Sequence, residues 1–233
     1  MKWLLFFFLI SFSVYAEPIP VFHPPDDWEF AHPTAHSSFV KVGFLGKGST
    51  PFRPSINMAI EIIDVNAKEY LKAVKEIHLA EPETSWRDLG RFTTKAGEAR
   101  LTEITNQGAA GEIKMLQMIL VKGSYAYILT GAAIKQDYLN MQGIFTKTFQ
   151  SFALTEDLIS LLSQSTADQV RHLLCEKEVK AKDKDGQRQD WEFLQKIAEK
   201  ESSRLGKYWQ LLILKQGYET VYSEILNIPK KSP

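Results

Sequence analysis

Cysteine is almost absent from this chain: of 233 residues only Cys175 carries a thiol. That excludes a disulfide framework and any metal site built from several thiolates. Charge of one sign is not in excess either, since 28 basic side chains stand against 28 acidic ones. Nucleic acid is normally met by a basic surface, so the balance gives no electrostatic reason to expect it as a partner. Beyond Val14 no apolar run reaches the ~18 residues of a membrane-crossing helix. Catalytic signatures are missing as well. There is no Gly-x-Ser-x-Gly elbow and no HExxH. Gly46-Lys47 is followed by Gly48 rather than by the Ser or Thr of a phosphate-binding loop. No catalytic residue, no cofactor and no metal site is assigned. What is present is 44% hydrophobic and 24% charged residues, the balance of a globular protein able to bury one good core and a smaller second one.

The chain opens Met1-Lys2, runs apolar from Trp3 to Val14 and reaches Val14-Tyr15-Ala16. A basic start, a short apolar stretch and a small residue before a cut are the parts of a secretory signal peptide. A dozen residues rising 1.5 Å each span roughly 18 Å, short of the ~30 Å hydrocarbon layer. The expectation is a signal peptide over 1–16 and an exported mature chain, periplasmic or secreted, without stable membrane insertion. No cysteine lies near the cut, which argues against a lipid anchor.

Residues 17–27 hold prolines at 18, 20, 24 and 25 and read as an extended lead-in. Aromatic and β-branched residues predict strands at 28–31, 38–44 and 56–65. Between them, 43–55 has the glycines and prolines of a loop. Asn66 with Glu69 three residues on forms a capping box for a helix that Glu81-Pro82 ends. Short strands are expected at 89–94 and 99–105, and a hairpin at 113–121 and 125–133 turning on Lys122-Gly123-Ser124. Tyr138, Met141, Phe145 and Phe149 mark one face of a helix over 134–150. The hairpin strands are apolar at both parities, so both faces of the sheet need cover, and the helices at 66–80 and 134–150 supply it. The fold class is therefore α+β, a helix-covered, largely antiparallel sheet.

After Phe152 the chain turns mainly helical over 155–233. Helices are expected at 155–163 and 166–180, the second with a Thr166–Gln169 capping box. Lys180 to Asp190 reads as an exposed charged connection. Trp191, Leu194, Ile197 and Ala198 mark a helix that stops near Gly206. The span 208–226 suits a helix by its apolar spacing, yet WQLLILKQGYETVY echoes LQMILVKGSYAY. The echo favours a β-hairpin at the end.

Three stretches resemble the PsbP-like family. They are DDWEF (26–30), MLQMILVKGSYAYILTGAA (115–133) and IFTKTFQSFAL (144–154), the last with Ser151-Phe152. The resemblance covers 28–154 and rests on packing positions rather than on a chemical signature. It implies an α/β/α sandwich that binds partners and has no shared catalytic site. The C-terminal region lies outside it.

Several clusters invite a chemical reading. His23, Asp26, Asp27, His32 and His36 are of metal-ligand type, but their spacing matches no closed site and solvated side chains are the simpler reading. His172 and Cys175 at i and i+3 of a helix could pair as base and nucleophile, although the apolar neighbours make Cys175 a packing residue. The loops to watch for binding are NQGAAG (106–111) and STPFRP (49–54). In the latter, Phe52 and Arg53 sit between prolines, which limits the entropy lost on docking, and both are of hot-spot type. The function expected is a non-enzymatic exported protein-interaction or assembly module of the cell envelope, with Phe52 and Arg53 as its binding residues. A metal-dependent envelope hydrolase and a carrier of an apolar ligand are the alternatives.

Overall fold

A computed structural model describes residues 18–31, 39–47, 52–217 and 221–222. The signal-type segment, His32, His36 and the first part of the STPFRP loop lie outside the described residues. Short strands come first: β1 (Ile19–Val21), β2 (Glu29–Ala31), β3 (Val40–Leu45) and β4 (Ser55–Ile62). Helix α1 (Ala67–Ala80) leads into four long strands, β5 (Ser85–Thr94), β6 (Gly97–Gly108), β7 (Gly111–Lys122) and β8 (Tyr125–Ile134). Next are α2 (Lys135–Gln150), β9 (Ala153–Thr155) and a 3₁₀ turn at Ile159–Leu161. Helices α3 (Gln164–Leu173), α4 (Glu176–Lys180), α5 (Lys184–Leu205) and α6 (Lys207–Gly217) follow.

Seven strands form one antiparallel sheet in the order β2-β3-β4-β8-β7-β6-β5, and β1 pairs separately with β9. The doubly apolar strands are covered on both faces, as their sequence requires. On one face Met58, Leu116, Met118, Tyr127 and Leu129 pack under Tyr138, Phe145 and Phe149 of α2. Gly131 permits that approach, because a Cβ there would overlap the ring of Phe145. On the other face Ile119, Ala126 and Ile128 are buried with Tyr70 of α1. The capping box forms as its spacing demands: Asn66 Oδ1 accepts from the backbone N–H groups of Lys68 and Glu69, and Asn66 N–H donates to Glu69 Oε2. At the outer edge β5 carries a bulge between Asp88 and Gly90, with Gly90 at φ +100°.

A second core sits under the C-terminal helices, where Leu158, Val170, Leu173, Val179, Leu194 and Ala198 are buried together. Helix α6 joins the two. Tyr208 belongs to the sheet core, Trp209 and Ile213 to the helical one, and Leu212 packs on both.

Several expectations change. The span 208–217 is helix, not the first strand of a hairpin. Tyr208 and Leu212 are one helical turn apart on the side of the sheet core, and Trp209 and Ile213 one turn apart on the side of the helical core. The charged stretch is mostly no connection: Asp183 Oδ1 accepts from Gly186 N–H and caps α5, so 184–190 are its opening turns. Residues 155–163 form the end of β9 and a 3₁₀ turn rather than a helix. The 166–180 helix starts at Gln164 without a side-chain cap and breaks between α3 and α4. The lead-in is extended yet buried in part, with Val21 and Phe22 only 9% and 1% exposed. The strands taken as ending at Phe44, and as starting at Leu89 and Ala99, reach further. NQGAAG is accordingly the close of β6 and the tight turn into β7, Gly111 taking φ +109°.

Candidate functional site

Arg53 is held within the chain. Its Nε donates to the carbonyl of Gly46 at 2.8 Å and its Nη2 to Glu29 Oε2 at 2.9 Å. Gly46 N–H in turn donates to the carbonyl of Pro54 at 2.7 Å. The guanidinium therefore ties the β3–β4 connection to edge strand β2, and Phe52 is half-buried beside it. His23, Asp26 and Asp27 line one cavity of about 430 Å³ with Lys147 and Ser151. His23 N–H donates to Ser151 Oγ at 2.8 Å. Burial, aided by Lys95 and opposed by Asp26, holds the His23 imidazole below its usual range. Among the described residues no group of three or more His, Cys, Asp or Glu is placed to hold a metal ion. His172 and Cys175 do not share a helix face, because α3 ends at Leu173 and half-buried Cys175 becomes the residue before α4. His172 Nδ1 meets Glu178 instead.

Concavities that the motifs did not mark lie beside α1. Helix α1 crosses its face of the sheet without filling it, and leaves a groove on either side. One, about 400 Å³, is ringed by Lys68, Asp88, Glu98 and Arg100, with Arg100 on Asp88 and Arg91 on Glu98 as ion pairs. The other, about 270 Å³, runs between α1 and strands β4, β8 and β7. Its lips are apolar: Phe39 and Ile77 line it while 54% and 67% exposed. Its floor is polar at the centre. Strand register sets Thr130 beside Asn57 on one side and Gln117 on the other, with Thr102 beyond Gln117. Gln117 Nε2 donates to Thr130 Oγ1 at 3.3 Å, and Thr102 Oγ1 donates to the Gln117 carbonyl at 3.5 Å.

Gln117 is 8% exposed, and its Oε1 has no partner among the described residues. An amide buried with one end unpaired costs free energy, so such groups in native folds call for a physical reason. Turning the amide over leaves Nε2 unpaired instead, so one end stays open in either orientation. Two titratable groups stand on the α1 side. Tyr70 Oη donates to Glu61 Oε2 at 2.7 Å; burial first, and Glu61 second, push the phenol above its usual range. Burial pushes the His78 imidazole below its usual range, so at neutral pH the ring is uncharged. Among the described residues, Glu61 is the one carboxylate lining this groove. The lone glutamine within MLQMILV, apolar at both parities, was the visible sign of this floor. Phe39 and Ile77 gave none, because which side of α1 stays open depends on how the helix crosses the sheet.

Fold and groove together define an α/β/α sandwich module with an amphipathic groove beside a helix. No protein-family profile and no curated protein matches the chain. Among solved structures it is similar to LpqN, involved in cell envelope biogenesis of Mycobacterium tuberculosis. That likeness is at 12% identity, covering 62% of this chain and 87% of that one, with a TM-score of 0.49. It is similar also to cyanobacterial PsbP from Synechocystis sp. PCC 6803, at 11% identity over 63% and 98% of the two chains and a TM-score of 0.40. A Pseudomonas aeruginosa protein of unknown function, PA94, is similar at 13% identity over 53% and 94%, TM-score 0.40. A PsbP protein, from the family that residues 28–154 resemble, is thus among the structures this chain is similar to. These likenesses concern fold, and no ligand, partner or site residue comes from them.

Proposed function

We propose that the chain is a non-catalytic binding module of the cell envelope, exported by its N-terminal segment, and that its partner is a protein. The observation that carries this reading is the groove beside α1, whose lips Phe39 and Ile77 stay exposed while the opposite sheet face is closed by α2. Large apolar side chains around a concavity mark interaction sites more often than isolated ones do. Phe52 and Arg53 remain the alternative contact point on the same protein. Arg53 there would act through a guanidinium already oriented by Gly46 and Glu29.

The test is crosslinking of the full chain in its native cell, followed by affinity capture, for wild type, Ile77→Ser, Phe52→Ala and Arg53→Ala. A protein captured reproducibly by wild type and about tenfold less by Ile77→Ser supports the groove, since losing one anchoring side chain of ~1.4 kcal/mol is tenfold in affinity. A loss confined to the other two variants moves the site to the loop. Equal capture by all four folded proteins overturns the reading. N-terminal sequencing of the native protein checks export: a start at Glu17 is expected, and a retained Met1 in the cytosol sinks it.

A second reading, a metal-dependent hydrolase, draws on one observation, the shared cavity of His23, Asp26 and Asp27. Metal analysis of the purified protein decides it. Stoichiometric metal, lost on His23→Ala together with hydrolytic activity, would replace the binding-module reading.

A further inference from the structure

We infer that the groove beside α1 recognises a peptide group together with one apolar side chain of its partner, and that Gln117 is the residue that reads the peptide. The inference rests on the binding-module reading and names the chemistry of that same site.

Three observations on the groove converge. First, the Gln117 amide has an unsatisfied acceptor, and of its two N–H donors one is spent on Thr130. An open acceptor beside an open donor is the complement of the N–H and C=O that one residue of an extended chain turns to the same side. Gln117 is more than nine-tenths buried and lines the groove, with its Oε1 closed to bulk water. Second, the surroundings of that amide are apolar: Val74 and Ile77 on the helix, Ile128 on the floor and Phe39 at the lip. The volume, about 270 Å³, lies below the ~300–1,000 Å³ of pockets for drug-sized ligands. It suits one large side chain with its peptide unit. Third, the charge in the lining is the carboxylate of Glu61, already accepting from Tyr70. A carboxylate ligand would meet that charge and a carbonyl oxygen with no cation to offset them, whereas an uncharged peptide meets neither penalty. The edge strands are elsewhere, on β2 and β5, so the peptide lies across a sheet face and adds no strand.

Gln117→Leu separates recognition from folding. The change leaves Thr130 Oγ1 without its donor, a cost smaller than the typical stability of a folded domain, so this variant is expected to keep the fold and lose the reader. Should it lose the fold, Gln117→Met serves in its place. The experiment is a chemical-shift titration of the full chain with N-acetyl-leucine N-methylamide, beside N-acetylglycine N-methylamide and the free acid N-acetyl-leucine. The leucine amide is expected to shift the side-chain amide signals of Gln117 and the methyls of Ile77. Its affinity should fall about tenfold in Gln117→Leu, the equivalent of about one net hydrogen bond. The glycine amide and the free acid should both bind more weakly than the leucine amide. Undiminished binding to Gln117→Leu, shifts outside the groove, or preference for the free acid would each overturn the inference. Capture of the cellular partner separates the two levels. Loss with Ile77→Ser but not with Gln117→Leu sinks the peptide reading and leaves the binding module standing. Retention in both removes the groove as the binding site altogether.

Discussion

Two side chains in one groove, His78 and Gln117, have their polar groups turned against their surroundings. For His78 the consequence is a dependence on pH. Burial lowers its pKa below the ordinary 6.5, and His23 is lowered by burial and Lys95. A group whose folded pKa lies below its unfolded one binds more protons unfolded than folded as the pH drops, so acid favours unfolding. The stability these histidines allow is present above pH 6.5 and is lost as pH falls toward and through their lowered folded values. Urea midpoints at pH 8 and pH 5 should therefore differ, with the lower midpoint at pH 5. His78→Gln should narrow the gap; an unchanged gap would show that the ring titrates normally. Gln117 is visible as the lone polar residue between Met115 and Val121. Nothing local announces the histidine's burial, which depends on α1 lying across β4 and β8.

At the scale of elements, α1 is the part most clearly written in the sequence, because its start is set by atoms within three residues of one another. Asn66 accepts two backbone N–H groups and Glu69 answers from the first turn. Asn66→Ala should cost about 1 kcal/mol of stability in denaturant titration. Because α1 walls the groove, the same change should weaken the leucine amide probe, and full stability in Asn66→Ala would mean that the cap is redundant. Elements whose limits come from distant contacts were harder to read. The charges of 180–190 look like a solvated link, yet Asp183 starts a helix whose later turns bury Trp191 and Leu194. The hairpin suggested for 208–226 by its echo is, over 208–217, a helix whose faces serve two cores. β5 and β6 extend past their apolar residues because β5 pairs with residues 97–105 of β6, with charged partners such as Arg87 and Glu103 at 3.0 Å, and β6 continues along β7 to Gly108.

For the whole molecule the decisive joint is α6. Tyr208 lies against Phe22, ring centroids 4.7 Å apart, while its neighbour Trp209 is buried in the helical core. Gly206, at φ +90°, makes the turn that brings α6 back from α5, close against His23 and Pro24. Tyr208→Ala should cost about 3–5 kcal/mol, as other large aromatic-to-alanine truncations in cores do. Thermal unfolding should remain a single transition, since the joint couples the two cores. Two separated transitions in the wild type would refute that coupling. The helix-covered antiparallel sheet was legible from doubly apolar strands and helical spacing, whereas this joint was not, since nothing local marks which two cores a helix serves. The meeting of Phe22 with Tyr208 also imposes an order in time. A segment near the ribosome's first output finds its packing partner only after almost all of the chain has been synthesised, and contacts so far apart in sequence form slowly. The nascent polypeptide is thus expected to stay incompletely locked while it emerges, a state compatible with the export proposed above.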